Sequence, residues 1–175
     1  MKLLEGEHIA LRAIEPEDLD FLFTIENDET FWEVSHTQNP FSKFLLKQYI
    51  ENCHLDIYEA KQLRLVIFEK ATNKNVGLID LFDFNPQHRR AGVGILIAQQ
   101  FQKQGYAFEA LKILIDYSFL SLHLHQLYAN ITSDNHQSLS LFKKFGFKEI
   151  GIKKDWILAK GKYKDEVLFQ LINEK

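Results

Sequence analysis

Apolar and polar positions alternate from His8 to Ile14, with Ile9, Leu11 and Ala13 on one side, which predicts a short strand. Glu15-Pro16-Glu17-Asp18 then opens a helix, with Pro in the first turn and acids at the positive dipole end. Leu19, Leu22, Phe23 and Ile25 continue it at helical spacing. A second helix is predicted from Ser42, its N-cap, to Tyr58, with Phe44, Leu45, Gln48, Tyr49 and Cys53 as its stripe. The period then changes. Leu63 to Glu69 and Val76 to Phe84 read as strands joined by a turn at Thr72-Asn73-Lys74-Asn75. Ala91 to Ile97 is a fourth strand, and Gly92 and Gly94 within it predict a bulge or a close backbone approach.

A polar stretch from Gln99 to Gly105 precedes a long helix from Tyr106 to about Leu122, whose stripe of Leu111, Ile115 and Phe119 faces the core. Gln126 to Thr132 is a fifth strand. Asn135 starts a short helix through Phe145, and Gly146 ends it. Phe147 to Leu158 and Tyr163 to Ile172 close the chain as an antiparallel pair around Lys160-Gly161. This order predicts a single α/β domain over residues 1–175: a mixed, mostly antiparallel sheet with helices on both faces.

Composition narrows the class. The 175 residues carry 46% hydrophobic and 26% charged side chains, an ordinary globular balance that excludes a disordered tail or a fibrous repeat. The formal charge of -3 argues against a nucleic-acid partner, since phosphate neutralisation needs a basic excess. No apolar run approaches a bilayer span, so no membrane partner is expected. One cysteine, Cys53, excludes an intrachain disulfide and fits a reducing, cytoplasmic setting, and on its helix stripe it reads as a small core residue. His123, His125 and His136 lack clear carboxylate companions, so no metal is expected. A homodimer is the default assembly.

Chemistry concentrates in two places. A helix starting straight after a strand exposes unpaired N–H groups at a mildly positive end, an anion site suited to a pyrophosphate. Here that mouth is Gln102-Lys103-Gln104-Gly105-Tyr106-Ala107, with Gly105 letting the backbone approach an oxygen. The bland alternative is an ordinary loop with a Gly for its turn. The second place is Asn135-His136-Gln137-Ser138, where Asn and Ser share one face of a first helical turn. Its bland alternative is Asn135 as an N-cap and nothing more.

Gln102, Gly105 and Ala107 match Gln/Arg-x-x-Gly-x-Gly/Ala after a fourth strand, and Asn135, Ser138, Gly146 and Phe147 match a later Asn-x-x-Ser/Ala helix ending in Gly-Phe. In this order they resemble the GNAT superfamily of acetyl-CoA-dependent N-acetyltransferases over nearly the whole chain. Asp80-Leu81-Phe82-Asp83-Phe84-Asn85 followed by His88-Arg89-Arg90-Ala91 is similar to its spermidine/spermine acetyltransferases. Lys160-Gly161-Lys162-Tyr163-Lys164-Asp165 resembles a turn shared with its ribosomal-protein N-terminal acetyltransferases.

The resemblance implies a cleft where the fourth and fifth strands splay apart, and acetyl-CoA as cosubstrate. Ile95, Leu96 and Ile97 would pair with the pantetheine arm, and the amides of Gln102 to Ala107, with Lys103 and Gln104 among them, would hold the pyrophosphate. Asn135 would reach the pantetheine end, and Ser138 or Lys144 the outer part of the coenzyme. The backbone N–H of Ile97 would stabilise the oxyanion, and Asp80 or Asp83 would serve as base or amine-binding group. Glu33 and His36 sit where such folds admit the acceptor.

One departure stands out. The Tyr that usually protonates the leaving thiolate is Phe142 here. Ser138, Tyr128 and Tyr106 are possible substitutes, or the thiolate leaves unassisted, which a thiol pKa near 8.5 tolerates. The expectation is acetyl transfer to a primary amine, on either a polyamine-like molecule or a protein N-terminus. The stretch Trp32 to Gln38 holds only Glu33 as an acid, which weakens the polyamine choice. The alternative is an acetyl-CoA-binding module with little or no catalysis.

Overall fold

The computed structural model describes residues 3–174. One seven-stranded sheet runs in the order β1-β2-β3-β4-β5-β7-β6. The strands are β1 Ile9–Arg12, β2 Leu63–Glu69, β3 Lys74–Asn85, β4 Arg90–Ile97, β5 Gln126–Thr132, β6 Lys148–Ala159 and β7 Lys162–Ile172. Every pairing is antiparallel except β4 with β5. The helices are α1 Leu19–Glu26, α2 Trp32–Ser35, α3 Lys43–Glu51, α4 Ile57–Ala60, α5 Tyr106–Leu120 and α6 His136–Lys144.

Period-2 alternation sends successive side chains to opposite faces. Leu65, Ile67, Ile79, Leu81 and Val93 join Ala110, Leu111 and Leu114 of α5 in the larger core. Val66 and Leu78, on the other face, pack with Leu22 and Ile25 of α1 and Leu46 of α3. The expected mixed sheet with helices on both faces is therefore present.

Two local readings need correction. The predicted helix from Ser42 to Tyr58 is two. Ser42 caps α3 as expected, but α3 stops at Glu51, and Asp56 caps α4 by accepting from the amides of Tyr58 and Glu59. The stretch around Glu33, for which the sequence pattern predicts no helix, contains the one-turn α2, which ends at His36 in a left-handed conformation. Cys53 is half-buried against the α1/α3 core, and burial pushes its thiol pKa up.

The sheet opens at one place. β4 and β5 pair only at Arg90 with Gln126, Ala91 with Leu127 and Gly92 with Tyr128. Beyond Gly92 the strands diverge. Phe82, Gly92 and Tyr128 lie in one row across β3, β4 and β5, and the Phe82 and Tyr128 rings meet edge to face at 5.8 Å. A Cβ on Gly92 would come within 2.4 Å of the Phe82 ring, so this glycine is a packing requirement.

Candidate active site

The register of β3 and β4 determines which amides face the gap. The Ala98 N–H donates to Val76 O at 2.9 Å, and hydrogen-bonded pairs alternate along an antiparallel ladder. Leu96, paired with Leu78, and Gly94, paired with Asp80, therefore spend their backbone groups on β3. The main-chain groups of Ile97 and Ile95 point the other way, into the gap left by β5. Leu96 thus contributes its side chain to the cleft and not its amide.

Two cavities meet along this edge. The first, about 320 Å³, is lined by Glu33 to Ser35 of α2 and His36 after it, by Arg64, Asp80, Phe82 and Gly94, and by Asn130, Thr132, Phe142 and Glu166. The second, about 370 Å³, is lined by Gln102, Lys103, Gly105, Tyr106, Ala107 and Phe108, and by Gln137, Leu141 and Lys144 of α6. Val34, Ile95, Leu96, Asn135 and Ser138 line both, so the two are ends of one cleft.

The second cavity ends at the mouth of α5. Gly105 is the N-cap at φ 87° and turns the chain into the helix. The Gln102 side chain donates to Ile97 O at 3.0 Å and braces the loop on the end of β4. Its amide is taken by Gln99 O, whereas the N–H groups of residues 103–108 meet no protein acceptor among the described residues. Gln104 lies off the cavity, its side chain donating to Gln100 O. Tyr106 donates its hydroxyl to Glu69, which raises the phenol's pKa. Across the cleft, Asn135 caps α6 by accepting from the Ser138 amide at 3.3 Å while lining both cavities. The N-cap role and the position in the cleft coexist.

The first cavity is acidic, and each of its carboxylates has a cation. Arg64 donates through Nε and Nη2 to Asp80, at 2.8 and 3.0 Å, and through Nη1 to Glu26. Burial disfavours the guanidinium's charge, but Asp80 and then Glu26 outweigh it and its pKa rises. Glu166, 3% exposed, accepts from Lys153 at 2.7 Å, and Lys153 also donates to Asn130. Glu33 accepts from Lys164, which reaches Asp134 as well. His36 lies at the rim.

Asp83 is elsewhere. A register shift after Phe82 and a left-handed φ of 50° put it on an exposed bulge, where it accepts from the Tyr128 hydroxyl at 2.9 Å. It lines neither cavity. Burial and that contact push the Tyr128 pKa up to about 12. Phe142 is 2% exposed and packs edge to face on Phe147, so no hydroxyl stands where the usual Tyr was expected. Of the three substitutes, only Ser138 lines both cavities with its hydroxyl free of protein partners among the described residues.

Arg64, Glu26, Glu166 and Lys164 were not singled out from the sequence. Arg64 had a usable signal: a lone cation among Leu63, Leu65 and Val66 demands a carboxylate across the sheet. Among the described residues, no group of three His, Cys, Asp or Glu side chains is arranged to hold a metal, and no helix is long and apolar enough to cross a membrane.

A sheet parted between two parallel strands, with a helix mouth of unpaired amides at one end of the gap and carboxylates at the other, has the layout of a group-transfer cleft. The acetyltransferase (GNAT) domain family matches residues 8–148, and the chain belongs to that family of N-acetyltransferases. Spermidine N(1)-acetyltransferase from Vibrio cholerae is 29% identical over 173 residues, covering 97% of this chain and 96% of that one. The crystal structure of spermidine N-acetyltransferase from Vibrio cholerae in complex with CoA and spermine superposes with a TM-score of 0.88 at 26% identity, covering 97% of this chain and 98% of that one. The [ribosomal protein uS5]-alanine N-acetyltransferase of Escherichia coli is 37% identical over 79 residues, covering 45% of this chain and 41% of that one.

Proposed function

We propose that this enzyme transfers an acetyl group from acetyl-CoA to a primary amine of a polyamine-like acceptor. The observation that carries the reading is the continuous cleft: unpaired amides at the α5 mouth, and Glu33, Asp80 and Glu166 around the other cavity. The diphosphate of the coenzyme binds at the amides of Lys103, Gly105, Tyr106 and Ala107, with the Lys103 and Lys144 side chains at the outer wall. The pantetheine arm runs beside Ile95 and Ile97 and takes the place of the missing β5 partner for their outward main-chain groups, apart from the Ile97 carbonyl, which Gln102 holds. Asn135 flanks it.

The amine attacks from the first cavity. Arg64 holds Asp80 in place through two hydrogen bonds, and Asp80 attracts the ammonium and receives its proton through water. The outward N–H of Ile95, where the two cavities meet, donates to the oxyanion that develops on the thioester carbonyl, because Ile97 lines only the coenzyme end. Ser138 donates to the leaving thiolate, whose intrinsic stability makes only modest assistance necessary. Glu33 and His36 line the entry.

Two features favour a polyamine over a peptide N-terminus. The acids missing from the stretch Trp32 to Gln38 are supplied by β3 and β7, as Asp80 and Glu166. The likeness to the spermidine enzyme spans nearly the whole chain, whereas that to the ribosomal-protein enzyme spans under half. The edge strand β6 exposes Ile150, Ile152, Trp156 and Leu158, which supports self-association, and the single cysteine supports a cytoplasmic setting. Thiol release from acetyl-CoA with spermidine, spermine, an aminoglycoside and alanine-terminated peptides tests the acceptor. Turnover with spermidine or spermine is the expected result. Turnover with the peptides alone would replace this acceptor with a protein N-terminus, and silence with every amine would favour a binding module.

A further inference from the structure

Three cation–carboxylate clusters border the first cavity, and they differ in how firmly they are held. Arg64 grips Asp80 with two nitrogens and Glu26 with a third, and Glu26 is 7% exposed. Lys153 meets Glu166, whose side chain is 4% exposed. Lys164 is different. Its Nζ lies 2.6 Å from Glu33 and 2.6 Å from Asp134, and the three side chains are 27%, 27% and 52% exposed. It reaches from β7 to α2 and to the turn before Asn135.

A lysine ammonium is a compact charge on a flexible stem, without the fork geometry that fastens Arg64. Lysine pairs that are partly open to solvent contribute little to stability, so an acceptor ammonium displaces this one at small cost. Two carboxylates face one ammonium, so the cluster keeps one uncompensated negative charge and attracts cations even while Lys164 is in place. Glu33 itself lines the cavity, which puts this seat at the rim, away from the reacting edge of β4.

Resting on the polyamine reading above, we propose that Lys164 is a specificity-determining residue, an internal ammonium that holds the seat between Glu33 and Asp134 until a second ammonium of the acceptor displaces it. The enzyme thereby selects acceptors carrying a cation remote from the reacting amine. The internal competitor also raises the concentration of such an acceptor needed for half-saturation, in inverse proportion to the fraction of time the seat is free.

Steady-state kinetics with spermidine tests this, with acetyl-CoA KM and acetyl-CoA thermal stabilisation as measures of an intact coenzyme half. Lys164→Met keeps the stem and removes the charge. It should lower the KM for spermidine by about fivefold, as expected for loss of a competitor of this strength. Lys164→Arg should keep KM within about twofold of wild type. Asp134→Asn removes half of the seat and should raise KM, the opposite sign, and this holds as a test even where Lys164→Met fails to fold. A Lys164 that only tethers α2 to the sheet predicts that Lys164→Met raises the KM for spermidine and for acetyl-CoA together, and that result overturns the proposal. Wild-type enzyme that acetylates peptides but not spermidine overturns the polyamine reading and this inference with it.

Discussion

Arg64→Met isolates the central charge cluster of the acceptor side. The variant keeps most of the stem's volume and deletes the guanidinium. Asp80 loses two hydrogen bonds, at 2.8 and 3.0 Å, and Glu26 loses its ion-pair partner. Glu26 is 7% exposed, so water cannot substitute for the lost partner there, whereas Asp80 at 23% is reached by solvent. Removing one partner of a buried pair leaves an uncompensated charge and costs about 3–5 kcal/mol. Most of that cost should sit on Glu26.

For a chain of this size such a loss corresponds to a fall in Tm of about 6–20 °C. Urea unfolding of wild type, Arg64→Met and the double variant Glu26→Gln/Arg64→Met at pH 7.5 measures it, read from midpoints at constant slope. The single variant should lose at least 3 kcal/mol, and the double should recover about half or more, because the orphaned charge is gone. A single variant within about 1 kcal/mol of wild type, or a double no more stable than the single, would refute a buried and mutually dependent triad.

Other residues give independent checks. Burial opposes ionisation of Asp18, but Arg12, the Glu15 amide and Asn75 outweigh it and hold its pKa below the ordinary 3.8. Its stabilisation is therefore complete above that value and lost as pH falls through the lower folded one, so Asp18→Asn should cost about 1–3 kcal/mol at pH 7 and progressively less below about pH 4 in acid-unfolding curves. Gly105→Val meets open space but a φ of 87° that Val cannot adopt without strain, so acetyl-CoA at saturation should no longer raise Tm, while Gly105→Asn, which tolerates that conformation, retains part of the effect. Ser138→Ala should lower kcat by about tenfold, with its KM for acetyl-CoA little changed, whereas Tyr128→Phe, whose hydroxyl is engaged by Asp83 away from the cleft, should stay within about twofold. Equal effects of the two hydroxyl variants in the thiol-release assay would remove Ser138 from its assigned role.

The two halves of the cleft were unequally legible in the sequence, for a physical reason. The coenzyme half is made by backbone: β4 and α5 were recognisable from apolar runs and period, and a helix mouth with Gly105 at φ 87° has a local spelling. Even there the spelling was incomplete, since Gly92 and Gly94 looked equivalent, yet a Cβ would strike the Phe82 ring at 2.4 Å in one and meet nothing nearer than 3.8 Å in the other. The acceptor half is made by pairs separated by 38 residues, Glu26 with Arg64, and by 131 residues, Glu33 with Lys164. No window of sequence contains both partners. The one-turn α2 that carries Glu33 is too short for a helical period to show, and the helical pattern after Ser42 runs on across the break that Asp56 makes. Counting acids near Glu33 therefore underestimated the charge of the cavity, because Asp80 and Glu166 arrive from strands on either side of the parted pair. It follows that substitutions at Lys164 are the economical route to a different acceptor on this scaffold, since Arg64 and Lys153 each hold a carboxylate that is 7% or 4% exposed. Such changes reset how many carboxylates are left for a cation while the splayed edge of β4 stays as it is.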